Sequence, residues 1–136
     1  MKRKNFAAWA LLLFLIVPLA GCSGREEDTN NTVSYQQITA EEAKSMMDEQ
    51  PDAVVLDVRE QDEYDAGHIP GAVLLPVGTI NEETAASVIP EKDTVVLVYC
   101  RSGNRSKTAS QALADLGYTQ IYEFGGIKDW PYEVER

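Results

Sequence analysis

Apolar residues recur along this chain in two different periods, and the alternation between them predicts the order of its elements. After an unbroken apolar run from about Phe6 to Leu19, residues Ser23 to Ser34 carry no periodic apolar pattern. From Tyr35 onward, short apolar runs of strand length alternate with stretches spaced for one face of a helix. Tyr35 to Ile38 predicts a short first strand. Thr39 with Glu42 forms a capping-box pattern for a helix whose Ala43, Met46 and Met47 share one face and fill a core. Pro51-Asp52 ends that helix, and Ala53-Val54-Val55-Leu56 predicts a buried strand with Asp57-Val58-Arg59-Glu60 at its carboxyl end. Gly67 to Ala72 reads as a loop, Val73-Leu74-Leu75 as a third strand closed by Pro76, and Asn81 to Ile89 as a helix capped by Asn81 and stopped by Pro90. Thr94 to Tyr99 predicts a central strand. Ser106 to Leu116 follows as a helix with Ala109, Ala112, Leu113 and Leu116 inward and Gly117 at its end. Gln120 to Glu123 is a last short strand, followed by Gly125-Gly126 and a short helical turn through Trp130.

Strands alternating with helices specify the α/β class: three layers, α/β/α, around a central, mostly parallel five-stranded sheet. In such sheets ligands bind beyond the carboxyl ends of the strands. Asp57, Cys100 and Gly125-Gly126 all follow strands, so this topology brings them toward one edge.

The first apolar run belongs to a different device. Lys2, Arg3 and Lys4 precede it and Ala20-Gly21-Cys22 ends it, which is the charged, apolar and small-residue order of a secretory signal over residues 1–21. The run is too short for a comfortable membrane span. Leu19-Ala20-Gly21-Cys22 resembles a bacterial lipobox, which implies that Cys22 becomes the lipid-modified mature N-terminus and that residues 22–34 tether the globular part, 35–136, to the membrane surface. The domain is therefore expected outside the cytoplasm, anchored to the cell membrane by the lipid on Cys22.

A chain of 136 residues, 44% hydrophobic and 25% charged, has room for one globular domain. Its 12 basic and 22 acidic residues give a formal charge of -10, which becomes -13 once Lys2, Arg3 and Lys4 are removed. An acidic body of that size repels nucleic acid, so no nucleic-acid partner is expected. Against that background Arg101, Arg105 and Lys107 fall within seven residues, a local field suited to a small anion.

Those charges surround Cys100. With Cys22 lipidated through its sulfur, Cys100 has no partner for a disulfide, and one Cys with one His does not make a metal site; no cofactor is expected. A tight loop entering a helix turns successive N–H groups inward beside the positive end of the helix dipole, and this favours a thiolate. Gly103 permits the tight turn. Cys100 is thus a candidate nucleophile rather than a buried structural cysteine, and the flanking arginines argue against burial.

Leu56-Asp57-Val58-Arg59-Glu60, Glu63-Tyr64, Gly67-His68-Ile69-Pro70-Gly71-Ala72, the loop Cys100-Arg101-Ser102-Gly103-Asn104-Arg105-Ser106, and Gly125-Gly126-Ile127 with Trp130 resemble, in that order, the signatures of the single-domain rhodanese family of sulfurtransferases. The resemblance runs from about Tyr35 to Arg136. It implies that Cys100 attacks the outer sulfur of thiosulfate or a similar small anionic donor, and that a Cys100 persulfide sits among the amides of Arg101, Ser102, Gly103, Asn104, Arg105 and Ser106. Arg101 and Arg105 would hold the donor's oxyanion, and a thiol, a protein acceptor or cyanide would remove the sulfur. Asp57 reads either as an acceptor for that loop or its arginines or as a helix-start cap, and Arg59 and His68 as locks on the loop before Val73. Gly125-Gly126 would border the pocket, and Trp130 would anchor the C-terminal turn in the core.

Two alternatives carry other chemistry. The related phosphatases and arsenate reductases place five residues between cysteine and arginine, whereas four separate Cys100 from Arg105, and Tyr99 stands where those enzymes commonly carry histidine. A rhodanese-like module that carries a persulfide or binds a protein without turnover would share the same loop.

Overall fold

The computed structural model describes residues 34–136. The expected signal segment, Cys22 and nearly all of the tether lie outside the described residues.

Five strands form one sheet: β1 (Gln36–Gln37), β2 (Val54–Asp57), β3 (Val73–Leu74), β4 (Val95–Cys100) and β5 (Gln120–Gly126). Their order is β1-β5-β4-β2-β3, and every neighbouring pair is parallel. Between them run α1 (Ala40–Glu49), α2 (Gln61–Ala66), α3 (Glu82–Val88) and α4 (Asn104–Asp115). Successive residues of a strand face opposite sides of the sheet, and the buried runs divide accordingly. Leu56, Val96, Val98, Cys100 and Ile121 face α3 and α4, where Ala85, Ala109 and Leu113 cover them. Val55, Leu97, Tyr99 and Phe124 face α1, which supplies Ala43 with Met46 and Met47 at the margin. The molecule is therefore the three-layer α/β/α sandwich expected from the pattern. Each fully buried Val, Leu or Ile side chain contributes about 1.5–3 kcal/mol of transfer free energy, and β4 is buried on both faces because it lies in the middle of the sheet.

Local sequence sets the helix starts. Thr39 Oγ1 accepts the Glu42 N–H while Glu42 accepts the Thr39 N–H, and Asn81 Oδ1 accepts the N–H groups of Glu83 and Thr84.

Three elements depart from the pattern-based reading. Helix α2 has no apolar stripe; of its six residues only Tyr64 packs against the core, so no periodicity announces it. Helix α4 begins at Asn104, two residues before Ser106, because Gly103 already provides the turn into it. Gly125 and Gly126 continue β5 instead of following it, since Gly126 pairs with Cys100 through its backbone alone.

Candidate active site

Cys100 is the last residue of β4, and its side chain points to the α4 side of the sheet. Arg101 and Ser102 turn the chain, and Gly103 closes the turn in the left-handed region at φ 100°. A side chain would be strained there, and glycine is not. Gly103 caps α4 without a side chain, and its N–H donates to Cys100 Sγ at 3.0 Å. The sulfur thus occupies the place at the helix N-terminus that a capping oxygen would take.

The floor of this turn is Gly126. A Cβ built on it would stand 2.0 Å from the Arg101 carbonyl oxygen and 2.6 Å from the Ser102 nitrogen. That close approach depends on an irregularity between the strands. Val98 pairs with Glu123 and Cys100 with Gly126, so β5 advances three residues while β4 advances two. The Lys128 N–H also donates to the Arg101 carbonyl, at 3.3 Å.

Cys100 is only 1% exposed. The arginines therefore do not hold the sulfur at the surface; the turn folds over it. Burial pushes the thiol up, but hydrogen bonding with the Ser106 hydroxyl and with the N–H groups of Ser106, Gly103 and Ser102 outweighs it and leaves Cys100 below its ordinary value. The thiolate is favoured chiefly by dipoles of the loop and helix end, and the Arg105 charge adds a coulombic attraction to it.

Arg105 is directed elsewhere. Its Nη1 and Nη2 donate to both carboxylate oxygens of Glu63 on α2, at 2.6 and 2.8 Å. Glu63 also accepts the Glu60 N–H, at 3.0 Å. Hydrogen bonding from Arg105 holds the Glu63 carboxyl down at about 2. Of the expected anion-binding residues, Arg101, Ser102 and Asn104 are exposed on the loop rim, Gly103 and Ser106 are buried beneath it, and Arg105 is half-buried in its ion pair.

Asp57 does not meet the cysteine loop. It pairs with Tyr99, one residue before Cys100, and the pleat turns both side chains to the α1 face. There Asp57 accepts from Tyr99 Oη at 2.6 Å and from Arg59 Nη2 at 2.7 Å, and Arg59 also donates to the Gly67 carbonyl at 2.7 Å. The Tyr99 hydroxyl in turn accepts the Ile69 N–H. His68 Nδ1 lies 2.9 Å from the Tyr64 carbonyl oxygen, and the two rings stack with centroids 3.8 Å apart. Trp130 is partly buried against Phe124 and Tyr132. Among the described residues no group of three or more His, Cys, Asp or Glu side chains is arranged to hold a metal ion.

One residue of the site escapes the pattern-based reading. Glu123, 3% exposed, lies on β5 facing the same side as Ile121 and Cys100. Its Oε1 accepts from Ser106 Oγ at 2.5 Å and from the Gly125 N–H at 2.8 Å, and Ser106 Oγ is 3.4 Å from Cys100 Sγ. An acid two residues after an inward-facing isoleucine in a strand is the signal that marks it.

A family model described as Rhodanese-like domain matches residues 39–132. The chain is similar to "Putative sulfur carrier protein YrkF" of Bacillus subtilis, 33% identical over 113 residues, or 82% of this chain and 60% of that protein. It therefore spans less than two thirds of that relative's length. It is also similar to thiosulfate sulfurtransferase PspE of Escherichia coli, 38% identical over 74 residues that make up 54% of this chain and 70% of the relative. Among solved structures, an E. coli rhodanese with anions superposes with a TM-score of 0.58 at 32% identity, covering 62% of this chain and 98% of that one.

Proposed function

The chain belongs to the rhodanese-like domain family, and from that premise we propose that it is a sulfurtransferase carrying a sulfane sulfur on Cys100. The observation that supports this most is the seat of the sulfur, with the Gly103 N–H 3.0 Å from Sγ at the first turn of α4. An anion at that position is met by fixed donors that need no rearrangement as charge moves.

In the first half of the reaction the Cys100 thiolate attacks the outer sulfur of thiosulfate or a similar donor. A sulfur–sulfur bond forms to Cys100, the donor's own bond breaks, and sulfite leaves with the electron pair. Negative charge passes from Sγ to the outer persulfide sulfur, one bond further toward the loop amides. In the second half an acceptor thiolate attacks that outer sulfur and Cys100 departs as thiolate. Neither half moves a proton at Cys100, so the loop's task is to keep both anions stable. Arg101 on the rim is placed to meet the donor's oxyanion, whereas Arg105 must first share itself with Glu63.

Intact-mass spectrometry of the protein treated with thiosulfate tests the reading, with Cys100→Ser as control. A gain of one sulfur atom by the wild type alone, lost again to cyanide or a thiol, is the expected result; no gain by a folded, alkylatable protein overturns it. Burial of Cys100 and the likeness to a protein named as a sulfur carrier favour a second reading, a carrier that hands sulfur only to a docked protein. That reading applies where sulfur is gained but small thiols fail to remove it.

The same proposal places the domain outside the cytoplasm, held to the membrane by lipid on Cys22. Cys22→Ser is expected to move the protein out of the membrane fraction, and unchanged fractionation contradicts the anchor.

A further inference from the structure

The sulfur, the Ser106 hydroxyl and the Glu123 carboxylate form a continuous chain that the transfer reaction as described does not use. All three residues are nearly or wholly buried, at 1%, 0% and 3% exposure. Cys100 donates toward Ser106 Oγ at 3.4 Å, and Ser106 Oγ donates to Glu123 Oε1 at 2.5 Å. A hydroxyl has one proton to give. While Ser106 spends it on Glu123, it offers only a lone pair to sulfur, which suits a thiol. For Ser106 to donate to a thiolate, its partner on the other side must become the donor, and only a protonated Glu123 can do that.

We propose, resting on the sulfur-transfer reading, that Glu123 holds the proton of the nucleophile: it receives the Cys100 proton through Ser106 and keeps it as long as Cys100 is a thiolate or persulfide. The S–H bond breaks as a proton passes to Ser106 Oγ, and the proton already on Ser106 passes to Glu123. Nothing is oxidised or reduced, and the trio keeps one negative charge throughout. That charge is the reason for the arrangement, because two adjacent buried anions would be costly and one is not. Glu123 is a positioning residue in this scheme, acting on the sulfur through Ser106.

The surroundings fit a carboxyl that changes state. Among the described residues its remaining hydrogen-bond partners are the Gly125 N–H and, from β1, the neutral Gln37 amide at 3.4 Å from Oε2. Among the described residues no cation fixes it as a carboxylate. On α4 and the loop, Arg105 is bound to Glu63, and Arg101 and Lys107 are exposed.

Two measurements on the whole protein need no sulfur donor, so they succeed or fail independently of the transfer reading. Infrared difference spectra are recorded as pH is raised while the thiolate is followed by its ultraviolet absorbance. The expected result is a protonated-carboxyl stretch that accompanies the first appearance of thiolate and vanishes when iodoacetamide converts Cys100 to a neutral thioether. Glu123→Gln and Ser106→Ala are expected to lose that band, and Glu123→Asp to retain it. The alkylation rate of the wild type should rise in two coupled steps with pH, collapsing to one step in Glu123→Gln. Thiolate appearing in the wild type with no carboxyl band overturns the proposal whether or not any variant folds, and so does a band unchanged by alkylation.

Discussion

Gly126 lies directly beneath Arg101, so close that the smallest side chain would place a carbon 2.0 Å from the Arg101 carbonyl oxygen. Both partners are backbone, so neither can swing aside. Gly126→Ala must therefore lift the turn that holds Ser102 and Gly103 over the sulfur. Overpacking of this kind costs about 1–3 kcal/mol, and the lost Gly103 N–H donation should slow alkylation of Cys100 about tenfold, for a hydrogen bond worth about 1.5 kcal/mol to an anion. Gly78→Ala is the control, since no other described residue lies within 4 Å of a Cβ there. Equal effects of the two on the urea midpoint and the alkylation rate would refute this account of the loop.

On the opposite face of the sheet, Asp57 holds the turn after β2 through charge. Arg59 is 5% exposed, and Asp57 is the carboxylate that neutralises it. Removing one partner of a buried pair strands the other, so Asp57→Ala is expected to destabilise the fold by about 3–5 kcal/mol. Tyr99→Phe removes a donor to Asp57 and leaves the buried Ile69 N–H without its acceptor, a loss of about 1–3 kcal/mol. Denaturant unfolding reads both. A Tyr99→Phe protein as stable as the wild type would show that the network around Asp57 is not supporting the strand that carries Cys100.

These two faces explain which features the sequence pattern carries and which it does not. The β2 run is apolar up to Asp57 and the β4 run up to Cys100 because both faces are covered, and this identifies the sheet and places Cys100 at its carboxyl edge. Periodicity cannot assign Asp57 to the far face from Cys100. That depends on register, and pairing Asp57 with Tyr99 instead of Cys100 reverses the side on which it lies. The same holds for Arg105: its position near Cys100 follows from the sequence, but its engagement with Glu63 depends on α2, a helix too short and too polar to announce itself. Glu123 carries a period-two signal from Ile121, but its meeting with Ser106 and Cys100 depends on how β5 pairs with β4, which only strand pairing reveals.

Arg105 is withheld from a bound anion as long as Glu63 keeps both of its donors. A dianionic donor such as thiosulfate has to compete with that carboxylate. Glu63→Gln removes the charge but not the bulk, and is expected to lower KM for thiosulfate several-fold while leaving kcat near its original value. Steady-state kinetics at fixed ionic strength decide it. A KM that rises would mean that Glu63 positions Arg105 for the donor instead of diverting it.

The same ion pair predicts a window of acid sensitivity. Donation by Arg105 lowers the Glu63 carboxyl from 4.5 to about 2, although burial works against it. A carboxyl whose folded value lies below its unfolded value binds fewer protons when folded, so its stabilising contribution is whole above about pH 4.5 and fades as pH falls through about 2. The two side chains are 33% and 26% exposed, and solvent screening limits a partly exposed pair to about 1 kcal/mol even with two parallel hydrogen bonds. Wild type and Glu63→Gln should therefore differ in unfolding free energy by about 1 kcal/mol at neutral pH and converge through this acid window. Arg105→Lys should lie between them, because a single ammonium cannot engage both carboxylate oxygens in the same plane. A difference that persists unchanged at the acid end would assign the stabilisation to packing of the Glu63 side chain and not to its charge.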